Sequence, residues 1–256
     1  MASSAPVLLI LGGGANVGSG VAQAFAAKGY KVASTSRRPR EQGKDGIDLH
    51  IRSDLSDPSS VANIFQKVAH ALGPPSVVVY NDPPHYSSAK ERIAKAAAAT
   101  PNPPDDPLSL SVKDLNHDFQ VNTSSVLAAA REAKAAFADL PSTASRTFIY
   151  TGNRLNIAPI APLLSLGLGK SATAHLIASA SEAYAHKGFR SASPMYFASR
   201  GRFYYADERN ADGSPAYAAI SGQAHGDFYT QLAEGKTQIP WLATFVGGAG
   251  YVDFLK

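Results

Sequence analysis

The sequence predicts an α/β protein, a single domain built on a doubly wound parallel sheet of about seven strands flanked by helices. Three observations point there. An apolar run at residues 8–11, too short for a core helix, breaks at Gly12, Gly13 and Gly14. A second glycine pair, Gly18 and Gly20, opens a segment with apolar residues at helical spacing, Val17, Val21 and Phe25. Strand-like and helix-like segments then alternate to the end of the chain. At 256 residues and 45% hydrophobic content, the chain is long enough for one sizeable core.

The first of these units reads as strand, tight turn, helix. Glycine suits the turn because it lets the backbone approach a ligand without an intervening Cβ. The helix that follows points its unsatisfied N–H groups and positive dipole end over the turn, so a diphosphate is the expected occupant. Gly14, Asn16, Val17, Gly18, Ser19 and Gly20 are its candidate partners.

Composition narrows the alternatives. The formal net charge of +4 comes from lysines and arginines spread along the chain, which suits a small anionic ligand and shows no nucleic-acid motif. With no cysteine, disulfides, thiolate zinc sites and cysteine nucleophiles are excluded, and no metal site is expected. The N-terminus has no basic region ahead of its short apolar run, and no segment is long enough to span a membrane, so a soluble cytoplasmic protein without a membrane partner is expected.

The elements follow in order. Residues 30–36 read as a second strand, ending in Ser36, Arg37 and Arg38, with Arg40 beyond. At this strand end a dinucleotide-binding fold meets the adenosine ribose, an acid binding the 2′-hydroxyl and an arginine the 2′-phosphate. Here the acid is missing and arginines are present, so NADP(H) is favoured over NAD(H). Residues 47–52 form a third strand. Asp57 or Ser56 caps a helix over 59–72, with Pro58 near its first turn. Residues 76–81 are a buried parallel strand by their continuous apolar character.

Residues 84–109 form an insertion. An alanine-rich piece precedes Pro101, Pro103, Pro104 and Pro107, which exclude regular structure and predict a stiff surface loop. Helical periodicity returns over 110–140, a fifth strand over 145–151, and a long helix over 170–185. Two segments compete for the sixth strand, 195–199 and 203–207, and the second is preferred. Residues 241–248 form the last strand, closing in a glycine turn.

Gly14, three residues, Gly18, one residue, Gly20 resembles the turn of the short-chain dehydrogenase/reductase superfamily. The resemblance runs from Val7 to about Gly250 and implies a Rossmann-like fold with a nicotinamide cofactor. It places Asp54, with Leu55 beside it, by the adenine ring. It matches Asn81 to one asparagine of the Asn-Asn-Ala-Gly that ends the fourth strand; Asp82 and Pro83 stand in place of the small residues. It also implies dimers or tetramers, for which the alanine-rich faces of 123–138 and 171–185 are the expected surfaces.

The superfamily's catalytic set is an asparagine in the fourth helix, a serine after the fifth strand, and Tyr-x-x-x-Lys opening the fifth helix. The tyrosine gives a proton to the carbonyl oxygen as hydride arrives, the lysine lowers its pKa, and serine and asparagine hold the oxygen and a relay water. Asn122 and Lys170 match. The serine position falls at Asn153 and the tyrosine position at Leu166, which cannot donate a proton. Tyr204, Tyr205 or Asp207 of the sixth strand are candidates to face the site, Tyr205 being the expected substitute, while His175 and His225 read as structural.

The expected function is therefore an atypical oxidoreductase that uses NADP(H) to reduce a small iminium, enone or carbonyl compound without the tyrosine. The alternatives are a non-catalytic NADP(H)-binding sensor and a biosynthetic cyclase derived from the same scaffold. A pocket over Leu166 separates the first two: open and apolar for an enzyme, filled for a sensor.

Overall fold

A parallel strand covered on both faces must be apolar along its whole length, and the central strands β1 (Val7–Leu11) and β4 (Val77–Tyr80) are buried at every residue. The structure is a computed structural model describing residues 5–41, 43–81, 100–184, 201–236 and 238–254. After β1 come α1 (Val17–Ala27), β2 (Lys31–Ser36), β3 (Leu49–Arg52) and α2 (Ser60–Ala71), then β4. Next are α3 (Val112–Phe119), α4 (Ser125–Ala138), β5 (Thr147–Thr151), α5 (Leu164–Tyr184) and β6 (Arg202–Glu208). The chain closes with α6 (Gly222–Glu234), β7 (Leu242–Val246) and β8 (Gly250–Tyr251).

The strand order is β3-β2-β1-β4-β5-β6-β7-β8. β1 pairs with β2 on one side, Val7 opposite Lys31, and with β4 on the other, Leu8 opposite Val77. The winding reverses between β1 and β4, so the glycine turn sits at the switch point where such sheets open a crevice. Alternate side chains supply two cores. Leu8 and Ile10 face α1 and α6, whereas Val7, Leu9 and Leu11 join the cluster containing Val61, Val126 and Ile177 from α2, α4 and α5.

The sheet has eight strands where about seven were expected. Gly248 and Gly250, at φ 78° and 76°, reverse the chain after β7 so that β8 returns antiparallel to it; a hairpin of this kind needs positive φ, and glycine supplies it without strain. The third strand begins at Leu49 rather than at 47, and the second helix at Ser60, where Asp57 accepts from the Ser59 N–H at 3.0 Å.

The single helix expected over 110–140 is two, joined by a π-helical segment at Gln120–Ser124. The fifth major helix starts at Leu164, six residues earlier than periodicity suggested, because Pro162 leads in through a 3-10 turn. The sixth strand is the preferred segment, extended to 202–208, and its rival 195–199 lies outside the described residues. So do residues 84–99 of the insertion. Its later part is not merely superficial: Asn102 is buried, donates to the Ala161 carbonyl at 2.7 Å, and takes its place against the start of α5. No helix among the described residues is long and apolar enough to cross a membrane.

Candidate active site

The glycine turn is built from both neighbouring strands. The Gly13 N–H donates to the Thr35 carbonyl at 2.6 Å, and the Asn81 amide donates to the Gly12 carbonyl at 2.8 Å. A Cβ on Gly13 would meet Ser34 Oγ at 2.1 Å, and one on Gly18 would meet the Gly13 backbone at 2.7 Å. Only glycines let the turn close this tightly. Gly14, Asn16 and Val17 remain partly or fully exposed, at the N-terminus of an 11-residue helix. This cradle suits a diphosphate, because the first-turn N–H groups of a helix lack internal acceptors.

The Gly20 backbone and the Asn16 side chain have structural duties. Gly20 is buried at the crossing of α1 and α6, where its Cβ would lie 2.2 Å from the Gly222 carbonyl group. Asn16 accepts from the Gly222 N–H and donates to the Ile220 carbonyl, each at 2.9 Å, tying the turn to the N-terminus of α6.

At the end of β2 the backbone of the basic turn is pinned. The Arg38 carbonyl accepts from Ser36 Oγ at 2.6 Å and the Arg37 carbonyl from Arg52 Nε at 3.2 Å, while both arginine side chains are exposed. Asp54 is exposed too; the Ser56 backbone N–H, with a smaller contribution from Arg37, holds its carboxyl below the usual range. Leu55 is buried, its carbonyl accepting from Ser125 Oγ at 2.6 Å. Sequence reasoning missed a further group here. Ser19 Oγ donates to Asp45 at 2.9 Å, and the Arg40 guanidinium reaches the same hydroxyl at 3.3 Å. Asp45 comes from the β2–β3 link, too irregular for periodicity to register.

Across the crevice, Asn122 lies in the π-helical segment. Such a segment interrupts the regular helical ladder and is frequent at functional sites. Asn122 is fully buried; its Nδ2 donates to the Asp118 carbonyl at 3.0 Å, and its own carbonyl accepts from Thr173 at 2.5 Å. Gly169 allows this approach, since a Cβ there would stand 2.7 Å from Asn122 Cβ. Lys170 is 4% exposed, deep in α5 rather than at a helix start. Its Nζ donates to the Thr151 carbonyl at 3.2 Å and sits 4.4 Å from the Tyr150 ring centroid, a cation–π contact. The structure thus brings Lys170, Asn122 and the end of β5 together.

The remaining expected positions lie close by with different roles. Asn153 caps a 3-10 turn, accepting from the Leu155 N–H at 3.0 Å. Tyr205 is not open to the crevice. Its ring is buried under Gly152, its hydroxyl donates to the Asn153 carbonyl at 2.8 Å, and burial raises its pKa well above the ordinary tyrosine value. Tyr204 is buried on the opposite face. Leu166, one turn before Lys170, is packed in a small cluster with Leu155, Ile160 and Leu163. Asp82 lies outside the described residues.

Asp118 was also missed by sequence reasoning. It is buried and accepts from Ser165 Oγ at 2.6 Å and from the Thr100 N–H at 2.5 Å, clamping the end of the insertion onto α5 beside Leu166. At the end of β6, buried Asp207 is held by Arg209, whose Nε donates at 2.7 Å. Burial raises the Asp207 carboxyl while Arg209, Lys170 and Arg154 oppose it. Among the described residues, no group of three or more histidines and carboxylates is placed to hold a metal ion.

On the other face, His225 is buried against Phe245 and Tyr229, with Nδ1 2.8 Å from the Ser221 carbonyl and 3.3 Å from Glu208. Burial lowers its pKa from 6.5 to about 4. A histidine depressed in the folded state costs stability as pH falls below its unfolded pKa, because the unfolded chain takes up the proton first. Relative to a His225→Gln variant, the protein is expected to lose about 2 kcal/mol more between pH 7 and pH 5, measured by urea denaturation. Parallel pH profiles for the two proteins would contradict this.

The strand order and the glycine turn at the switch point define a doubly wound α/β protein, a class in which ligand crevices lie at the carboxyl ends of the strands. The chain belongs to the short-chain dehydrogenase/reductase family of oxidoreductases. It is 47% identical over 252 residues to the short chain dehydrogenase/reductase dmxR12 of Cryptosporiopsis sp. (strain 8999), covering 98% of this chain and 96% of that protein. No family model matches. The fold also resembles 3-oxoacyl-(acyl-carrier protein) reductase from Brucella melitensis in complex with NAD, with 18% identity, TM-score 0.70 and 96% of each chain covered. An NADH-dependent reductase A1-R′ complexed with NAD is similar at 14% identity, TM-score 0.71 and 96% of each chain.

Proposed function

We propose that this protein is an NADP(H)-dependent oxidoreductase that reduces a small organic electrophile, an iminium, enone or carbonyl compound, without a tyrosine proton donor. What supports the reading is the buried Lys170 at the Thr151 carbonyl, with Asn122 beside its helix and Leu166 four residues before Lys170, the place the family resemblance gives to tyrosine. The bound cofactor would supply hydride. The N–H groups of Asn16, Val17 and Gly18 would hold its diphosphate, Gly14 and Ser19 shaping the turn through their own backbone bonds, and Ser36, Arg37 and Arg38 would hold its 2′-phosphate. Asp54 and Leu55 would flank the adenine, while Asn81 fixes the turn. Lys170 would hold the ribose at the nicotinamide end and Asn122 orient its surroundings. The Leu155, Ile160, Leu163 and Leu166 side chains exclude water from the place of the missing hydroxyl. An iminium takes hydride to a neutral amine and needs no proton there, whereas an enone or carbonyl would take its proton from solvent.

A filled space around Leu166 is the feature expected of a sensor, so this packing counts against the enzyme and favours a second reading, an NADP(H)-binding sensor; the buried Lys170 and Asn122 favour the enzyme. Transfer of deuterium from C4-labelled NADPH to an iminium or enone separates the two.

The cofactor assignment is tested by titrating the protein with NADPH and NADH and following cofactor fluorescence. NADPH is expected to bind more tightly. An Arg37→Ala, Arg38→Ala double variant should weaken NADPH by tenfold or more, about 1.4 kcal/mol, and leave NADH nearly unchanged, because a guanidinium fork matches phosphate in charge and shape. Binding of neither cofactor would end the oxidoreductase reading.

A further inference from the structure

A cavity of about 280 Å³ opens beside the last residues of β6. Its walls mix apolar and charged groups, including Ile157, Leu242 and Phe254 on one hand and Arg154, Arg209 and Asp212 on the other. The charged groups differ in how they are committed. Arg209 is 4% exposed; its Nε donates to Asp207 at 2.7 Å and its Nη1 to the Gly213 carbonyl at 3.1 Å. Asp212 accepts from the Ser214 N–H at 2.9 Å and the Ser214 hydroxyl at 2.6 Å. Arg154 is exposed and makes no side-chain hydrogen bond or ion pair among the described residues. Its position is fixed by the chain, directly after Asn153, whose cap orders the 3-10 turn Arg154–Asn156.

Of the charged groups that line the cavity, Arg209 is matched by Asp207, and Arg154 stands with Asp212. Glu208 points to the other face, toward His225. The lining carries no surplus charge, but Asp212 is already held by the Ser214 N–H and hydroxyl, so among the described residues the guanidinium of Arg154 is the charged group whose donors are uncommitted. Ile157, 55% exposed at the rim, leaves an apolar surface next to it. A free guanidinium beside an apolar wall recognises a flat acid, since its fork matches a carboxylate in two parallel hydrogen bonds.

We infer that this cavity binds the acidic end of the substrate, which is a small organic acid with one anionic group on Arg154 and an apolar body against Ile157, Leu242 and Phe254. This names the substrate class for the reductase proposed above and rests on it for the word substrate; the binding site itself does not. Calorimetry with benzoate and benzamide as probes, on the protein without cofactor, tests it. Benzoate should bind saturably and benzamide at least tenfold more weakly. Arg154→Gln should weaken benzoate at least tenfold and leave benzamide unchanged, while Arg154→Lys keeps part of the affinity.

Equal binding of the two probes, binding of neither, or benzoate affinity unaltered in Arg154→Gln would overturn the inference. The NADPH titration is independent of these measurements. Benzoate binding without NADPH binding would keep the acid site and remove the reductase, and the reverse result would do the opposite.

Discussion

Replacing Asp207 by alanine is expected to cost about 3–5 kcal/mol of stability, the range found when one partner of a buried ion pair is removed. Asp207 and Arg209 are 2% and 4% exposed, on the same face of β6, and the carboxylate takes two of the guanidinium's donors. Alanine leaves that guanidinium buried with the Gly213 carbonyl and no counter-charge. The pair itself need not be strongly stabilising, because taking two charges out of water offsets most of their attraction. An Asp207→Leu, Arg209→Met double variant should therefore recover most of the loss. Urea denaturation of the three proteins checks this, and a single-variant cost below about 1 kcal/mol would mean the pair is solvated as a surface pair is.

Gly20→Ala is expected to destabilise the protein by about 3 kcal/mol or more, the upper end of the cost of overpacking a well-filled contact. The added methyl would lie 2.2 Å from the Gly222 carbonyl carbon and oxygen. Those are backbone atoms, so no rotamer change relieves the overlap, and α1 and α6 must separate. Gly226 faces the same crossing, its Cβ position 2.6 Å from the Gly20 carbonyl, so the separation would spread along both helices. The melting temperature should fall by roughly 6–12 °C. Gly167→Ala provides the contrast. In the interior of α5, its nearest neighbour beyond its own helix would be the Leu155 carbonyl at 3.7 Å, and the helix preference of alanine should add about 0.5–1 kcal/mol. Similar behaviour of the two variants in thermal denaturation would refute a tight helix crossing at Gly20.

These two sites show how unevenly the chain discloses itself. Gly20 was visible as part of the glycine motif, but its role was read as ligand approach, and the structure gives it to helix packing. Its partner Gly222 is some two hundred residues away, and no local pattern links them. Asp207 stood among the residues expected near the site; that it would be consumed by Arg209 depends on β6 being buried on both faces at its last residues.

Leu166 was legible in the sequence as the residue four places before Lys170. Whether the space around it would be open depended on Leu155, Ile160 and Leu163, brought over it by a link whose path the sequence did not specify. Tyr205 failed as a substitute for a similar reason, since Gly152 leaves room for its ring beneath the strand end rather than above it.

The sequence by itself determined the strand–turn–helix at the N-terminus and the alternation that makes a doubly wound parallel sheet; Asn122 and Lys170 were singled out by the family resemblance. The first two rest on rules that act within a few residues: side-chain periodicity and glycine in a tight turn. Only the tertiary structure decided that the helix at 110–140 breaks into a π-helical segment around Asn122, and that Asp118 clamps the insertion to α5. It alone placed the ammonium of Lys170 on the Thr151 carbonyl and set Arg154 at a cavity of mixed polar and apolar walls. Those features depend on which distant groups meet when the sheet closes, and burial then fixes which polar groups are paired and which remain for a ligand.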